Sequence, residues 1–339
     1  MPTIKQVADL AGVSVGTVSH VITGSVKVSE PLRIKVDEAI RQLDYHPNHV
    51  ARSLKTSRTH TLGIIVPDMT ISFFPQVIRG AETAAREKGY SLIAVNSGDS
   101  AERQSDLLSL LRSQQVEGIL LVLAAAAEPP AHQIARMISA GIRVICLDRV
   151  ADKLPVDSVC VDDLAAAEMG VSHLIDAGYR RIAIVTGPSL LKNEQLRLRG
   201  YEKCLKHAGI ASDPDLVWRG NLQIDDVASL CVEKLRTQPK PDAIFATNGQ
   251  TALGALRALR DCGLKTPGDV GFAAFDELTV DDLFQPRITT IVQPSYDIGF
   301  HAAAVLLRRI SDPTMSADPV AERLPAVLKI RDSSRGPHQ

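Results

Sequence analysis

Aromatic residues are scarce in this chain: they make up 4% of its 339 residues, with a single tryptophan, Trp218. Hydrophobic residues nonetheless reach 45%, so any core has to be built from Val, Ile, Leu and Ala. No apolar stretch approaches the ~20 residues that a membrane-spanning helix needs, so no membrane is expected among the partners. Residues 1–20 lack a charged start followed by a continuous apolar run, so no secretory signal is expected. The five cysteines, at 146, 160, 204, 231 and 262, form no C-x-x-C pair and no Cys/His cluster of zinc spacing. They are expected as buried free thiols in a reducing cytosol, with neither metal nor cofactor bound. No glycine-rich loop ending in lysine follows any strand pattern, which argues against a nucleoside triphosphate. Excess charge is missing too: the net charge is −1.

The distribution of charge says more. Residues 1–60 carry eight Lys/Arg against five Asp/Glu, and the remainder carry 30 against 34. A mildly basic head thus precedes a mildly acidic body, which suits phosphate binding by the head alone. Three short helical patterns occupy the head, at Thr3–Ala11, Ser14–Ile22 and Pro31–Leu43. Thr3 with Gln6 reads as a capping box, and Ile4, Val7, Ala8 and Ala11 share one face. Gly12-Val13 breaks the first helix and Ser14 caps the second, whose inner face is Val18, Val21 and Ile22. Val36, Ala39, Ile40 and Leu43 form the inner stripe of the third. Two helices joined by a tight glycine turn, closed by a third, make a helix-turn-helix. Gly12-Val13-Ser14-Val15-Gly16 also matches G-x-S-x-G, but a helix precedes the serine where a nucleophile elbow needs a strand.

In a helix-turn-helix the second helix enters the major groove. It exposes Val15, Gly16, Thr17, Ser19 and His20. Val15 can touch thymine methyls and His20 can donate to guanine N7 or O6, while Thr17 and Ser19 suit phosphates. Thr3 and Ser14 belong to the same expected contact set. A second motif follows at Pro47–Lys55. Asn48 can cap a short helix on which Val50 and Leu54 are neighbours, with Ala51 between them and Arg52 and Lys55 at the flanks. Such a helix is too short to be stable alone. It makes sense if two copies meet in a widened minor groove, where Leu54 wedges between base pairs. The modest charge of one head points the same way, to two heads acting together in a homodimer on operator DNA.

After a short polar linker, strand and helix patterns alternate. Apolar runs stand at Leu62–Val66, Leu92–Val95, Ile119–Leu123, Val144–Leu147, Val159–Val161, Ile182–Val185, Ala243–Ala246 and Gly271–Phe275. Strands apolar on both faces and separated by helices predict doubly wound parallel sheets. Some 270 residues exceed one comfortable open sheet, so two α/β lobes are expected, divided near Val161–Asp162. Ligand groups in such sheets lie just past strand C-termini. Asp68, Asn96, Asp148, Arg149, Asp162, Asn248 and Asp276 occupy such places, with Arg197 and Leu222 in later segments and Phe73-Phe74 opening the first helix of the body. Carboxylates accept from sugar hydroxyls, arginine donates a rigid fork, and an aromatic face packs on a pyranose or base.

TIKQVADLAGVSVGTVSHVI, followed by VSEPLRIKVDEAIRQLDYHPNHVARSLK, resembles the headpiece of the LacI family of bacterial transcription regulators, ungapped from Thr3 to Lys55. The body resembles that family's effector-binding core, similar to type I periplasmic binding proteins, more loosely but over its whole length. The resemblance implies a headpiece at 1–47 and a hinge helix and linker at 48–59. It implies a first lobe from 60–161 and 291–318, a second from 162–290 and 319–331, and a frayed tail at 332–339. The crossings between lobes then fall near 161, 290 and 320. It further implies a cytoplasmic repressor, not an enzyme, controlled by a small-molecule effector such as a sugar or sugar acid in the inter-lobe cleft. Phe74, Arg197, Asp276, Asp162 and the Arg149 region match effector-contacting places. Two departures stand out: Gly16 replaces a longer side chain in the recognition helix, and Asn248-Gly249 stands where an acid is frequent. The body alone would also allow an extracytoplasmic sugar-binding protein, or a glycosidase with paired carboxylates. Operator binding, sugar binding alone or glycoside turnover separates the three.

Overall fold

A computed structural model describes residues 2–23, 26–45, 58–126, 128–152, 154–237, 239–277, 283, 285–312, 314–316 and 318–336. The chain divides into two compact units, Met1–Thr59 and His60–Gln339.

The first unit holds α1 (Ile4–Ala11), α2 (Val15–Thr23) and α3 (Glu30–Gln42). Thr3 and Gln6 form the expected capping box at the start of α1. Gly12 ends that helix in the left-handed region, φ +66°, with its N–H on the carbonyls of Ala8 and Asp9. That conformation costs a side-chain-bearing residue but not glycine, so the turn falls there. Val7, Ala8, Ala11, Val18, Val36 and Ala39 are buried together as the core.

The second unit contains two sheets, each six-stranded among the described residues. The first comprises β1 (Thr61–Val66), β2 (Ser91–Asn96), β3 (Gly118–Leu121), β4 (Arg143–Leu147), β5 (Asp157–Val161) and β11 (Ala321–Leu324), in the order β11-β5-β4-β3-β1-β2. All of its pairings are parallel. The second comprises β6 (Ile182–Thr186), β7 (Val217–Arg219), β8 (Ala243–Ala246), β9 (Gly271–Phe275), β10 (Thr289–Val292) and β12 (Val327–Lys329), in the order β12-β10-β9-β8-β6-β7. Only β12 runs antiparallel to its neighbour. Helices cover both faces, so successive strand residues serve different cores. Ile64 packs in one cluster and Ile65 in another; Ile184 and Val185 divide likewise in the second lobe. This is why the strands read as unbroken apolar runs.

The return helix α11 (Ser295–Ser311) crosses α4 (Phe73–Glu87) in the first lobe. The crossing depends on two glycines. A Cβ on Gly80 would lie 2.0 Å from the Tyr296 carbonyl oxygen, and one on Gly299 would lie 1.9 Å from that of Val77.

Three boundaries differ from expectation. β10 belongs to the second sheet through Val292, so the second crossing, expected near 290, falls at Gln293-Pro294 and the second lobe runs a few residues beyond its expected bound. β11 pairs with β5, which puts residues 321–324 in the first lobe, although 319–331 were expected in the second. Its sequence, AERL, carries two charges and no apolar run; as an edge strand it is held by the ladder with β5, beside Val320 N–H donating to the Asp157 carboxylate at 2.7 Å. Finally, the expected frayed tail is packed through residue 336. Ser333 Oγ donates to the Phe272 carbonyl at 2.7 Å and accepts from Thr289 N–H at 2.8 Å, and the Tyr179 hydroxyl donates to the Arg335 carbonyl at 2.6 Å.

Candidate functional site

In the head, Ser14 Oγ accepts from Thr17 N–H at 3.1 Å and so begins α2. Burying Val18 turns Val15, Gly16 and His20 outward, with Thr17 and Ser19 half-buried beside them. Val15 is 43% exposed, which is notable for an apolar residue on a helix with its own core face. Thr3 is committed to its capping box. Asn48, Val50, Ala51, Leu54 and Lys55, expected to form the hinge contacts, lie outside the described residues.

In the body, the C-terminal ends of the strands of both lobes converge on one polar cavity. The first lobe contributes Ile71, Phe73, Phe74, Asp148 and Arg149. The second contributes Leu191, and Asn193, Glu194 and Arg197 from the start of α8 (Lys192–His207). It also contributes Leu222, Asn248, Gly249, Gln250 and Asp276, and Gln293 stands on the crossing between the lobes. Three lining residues other than glycine hold positive φ: Asp148 at 60°, Leu222 at 66° and Asp276 at 69°. For leucine that conformation is uphill, and such strain gathers at ligand sites.

The polar groups are arranged around Arg197, which is 2% exposed. Its Nε donates to Asp163 Oδ1 at 2.8 Å, and its Nη1 donates to the Thr247 carbonyl at 2.5 Å. Its guanidinium also lies over the Phe275 ring, 4.1 Å from the centroid. Burial by itself would lower the Arg197 pKa, but Asp163, Glu194, Asp276 and Asp148 outweigh it and hold the group firmly charged. Glu194 Oε2 accepts from the Thr186 hydroxyl, Gly187 N–H and the Thr247 hydroxyl, and its Oε1 accepts from Asn248 Nδ2 at 2.9 Å. Asn248 Oδ1 accepts from Thr251 N–H as the cap of α10 (Gly249–Asp261). Asp276 accepts from Gln293 Nε2 at 2.7 Å and from Gly249 N–H; burial pushes its pKa up against these donors and Arg197. Gln293 Oε1 is buried without a partner among the described residues. Arg149 turns away from the cavity centre, donating to Asp99 at 2.6 Å and to the Leu123 carbonyl at 3.2 Å. Burial raises Asp148 to about 7, with Arg149 and Arg197 opposing the shift.

Of the expected ligand residues, Phe73, Phe74, Asp148, Arg149, Arg197, Leu222, Asn248 and Asp276 line this one cavity. Asp68 and Asp162 do not. Asp68 closes a local turn by accepting from Thr70 N–H at 2.8 Å, and Asp162 caps α7 (Asp163–Asp176) by accepting from Ala165 N–H at 3.1 Å. A short carboxylate just before a helix is drawn to the free N–H groups there. Asn96 accepts from Met69 N–H at 3.2 Å, tying the end of β2 to the loop after β1. Trp218 is 2% exposed in the second-lobe core and donates to the Asp215 carbonyl, so it does not face the cleft. Asn193, Glu194, Gln250 and Gln293 were missed, as was Asp163 behind Arg197. Glu194 and Arg197, three apart on a helix start, were a readable signal. Gln293 was not, because its place on a crossing depends on the path of the chain.

A DNA-reading helix-turn-helix joined to a two-lobed α/β core with a polar inter-lobe cavity defines a ligand-controlled transcription regulator. Residues 3–48 match the family described as bacterial regulatory proteins, lacI family, and residues 59–332 match periplasmic binding proteins and sugar binding domain of LacI family. The chain belongs to the lacI family. It is 33% identical over 315 residues to the ribose operon repressor of Escherichia coli (strain K12), covering 93% of this chain and 95% of that one. It is 34% identical over 313 residues to the HTH-type transcriptional repressor PurR of Vibrio vulnificus (strain CMCP6), covering 92% and 93%. Among solved structures, a Lac repressor dimer bound to operator and the anti-inducer ONPF superposes with a TM-score of 0.84 at 25% identity, covering 98% of this chain and 99% of that chain. A complex of the transcriptional regulator CelR with cellobiose gives 0.74 at 32% identity, covering 98% and 100%.

Proposed function

We propose that this regulator is a cytoplasmic repressor that binds a palindromic operator as a homodimer and answers to a neutral monosaccharide held between its lobes, with D-ribose the first candidate. The observation that carries the choice of ligand is the charge balance of the cavity. Arg197 is committed to Asp163 and Thr247, and Arg149 to Asp99 and Leu123. Glu194 and Asp276 remain as acceptors on the lining, and Gln293 Oε1 adds another. A sugar acid or phosphate would meet acceptors of its own sign, with no uncommitted cation among the described lining residues to pair with it. A neutral polyol supplies the hydroxyl donors, and its C–H face can pack on Phe73, Phe74 and Leu222. The relation to a ribose operon repressor makes ribose the first sugar to test.

On this reading the effector contacts are Phe73, Phe74, Asp148, Asn193, Glu194, Leu222, Asn248, Asp276 and Gln293, with Arg197 organising them. The DNA contacts are Val15, Gly16, Thr17, Ser19 and His20, with the hinge residues Asn48, Val50, Ala51, Leu54 and Lys55. The reading involves binding and no turnover.

The test has two arms. In vitro selection with the full chain should recover a palindrome. Thermal melting with D-ribose, other neutral aldoses, ribose 5-phosphate, ribonate and hypoxanthine should show a rise only with a neutral sugar. Ligand at 100 times its Kd should stabilise the chain by about 2.7 kcal/mol. Stabilisation by an acid or phosphate in place of the neutral sugars would overturn the choice of ligand.

A further inference from the structure

Four carboxyl groups gather about the cleft, and three have close donors. Asp163 has Arg197, Glu194 has four neutral donors, and Asp276 has Gln293 and Gly249. Asp148 differs. Its nearest cation among the described residues is Arg149 Nε at 4.0 Å, and that guanidinium is already bonded to Asp99. Asp148 is only 8% exposed. From the second lobe it faces Asp163 at the start of α7, Arg197 on α8 and Asp276 after β9, two carboxyls against one committed guanidinium. Burial and like charge both work against an anion there.

We propose that Asp148 carries a proton when the cleft is empty and releases it to solvent when the sugar binds, making the proton a second effector of the core. The inference rests on the sugar reading of the cleft. Ligand hydroxyls placed against Asp148 would donate to its carboxylate and stabilise the ion that the empty cleft disfavours. Binding therefore selects ionised Asp148, and acid weakens the sugar. The burial-raised pKa of Asp148, about 7, puts the effect near neutrality.

Titration calorimetry of D-ribose into the full-length dimer at pH 6, 7 and 8, in buffers of differing ionisation heat, tests the coupling. Affinity should be about tenfold weaker at pH 6 than at pH 8, with close to one proton released at pH 6 and almost none at pH 8. Asp148→Asn should remove both effects. The carboxyl carbon of Asp148, followed by NMR in the ligand-free protein, should titrate near neutrality whether or not any sugar binds. A midpoint in the ordinary carboxylate range, or ribose binding that is flat with pH, would overturn the proposal. A midpoint near 7 without ribose binding at any pH would overturn the ribose assignment, and with it the coupled release.

Discussion

Arg197 and Asp163 form a buried ion pair, with Nε and Nη2 of the arginine 2.8 and 2.7 Å from one carboxylate oxygen. The pair joins α8 to the first turn of α7 and, through Nη1, to the end of β8. Arg197 is thus as much a strut of the second lobe as a wall of the cleft. Arg197→Ala should destabilise the core by about 3–5 kcal/mol, because Asp163 is left buried and unpaired. Urea denaturation measures this. The head has its own core and should still bind operator under native conditions, without a ligand response.

Gly299 tests the helix crossing that returns the chain to the first lobe. Gly299→Ala would place a methyl group 1.9 Å from the Val77 carbonyl oxygen and should cost at least about 1–3 kcal/mol. Gly268→Ala, where a Cβ meets nothing closer than Lys265 Cβ at 4.0 Å, is the control and should be close to neutral. Thermal melting of the two variants makes the comparison.

His173 should give the second lobe an acid limit. Its Nε2 lies 2.7 Å from Ser334 Oγ, and burial lowers its pKa, with Asp176 opposing. A histidine held neutral in the folded state contributes stability above its unfolded pKa of about 6.5 and loses it as the pH falls below that value. The wild type should therefore lose stability more steeply than His173→Gln between about pH 6.5 and 5. Parallel slopes in denaturation series would show that the ring titrates normally.

At the DNA face, His20→Ala should relax base preference at one symmetric pair of operator positions, by about 1–3 kcal/mol. Equal weakening for every operator variant, measured by fluorescence anisotropy, would reassign His20 to a phosphate contact.

Much of this protein was legible from local pattern. The capping box at Thr3, the turn at Gly12 and the face carrying Val18 each depend on residues within a few positions of one another, and all three are present. The unbroken apolar runs predicted parallel sheets because a strand covered by helices on both faces has no polar side to display. The places just past strand ends also marked four of the residues that line the cavity, Asp148, Arg149, Asn248 and Asp276. The same rule selected Asp68 and Asp162, where sequence cannot distinguish a carboxylate aimed into a cleft from one satisfied by the next helix.

Tertiary structure decided the rest. That Gln293 reaches the cleft, that AERL completes the first sheet, and that Ser333 and Ser334 anchor the chain end all follow from where the polypeptide returns after crossing between lobes. Such crossings bring together residues more than 100 positions apart, and no local periodicity encodes them. Charge was decided in the same way. Composition records Asp148, Asp163, Glu194 and Asp276 as four equivalent acids, but a carboxyl group is governed by the donors and solvent around it. Only the packed lobes give three of them partners and leave Asp148 without a close one among the described residues.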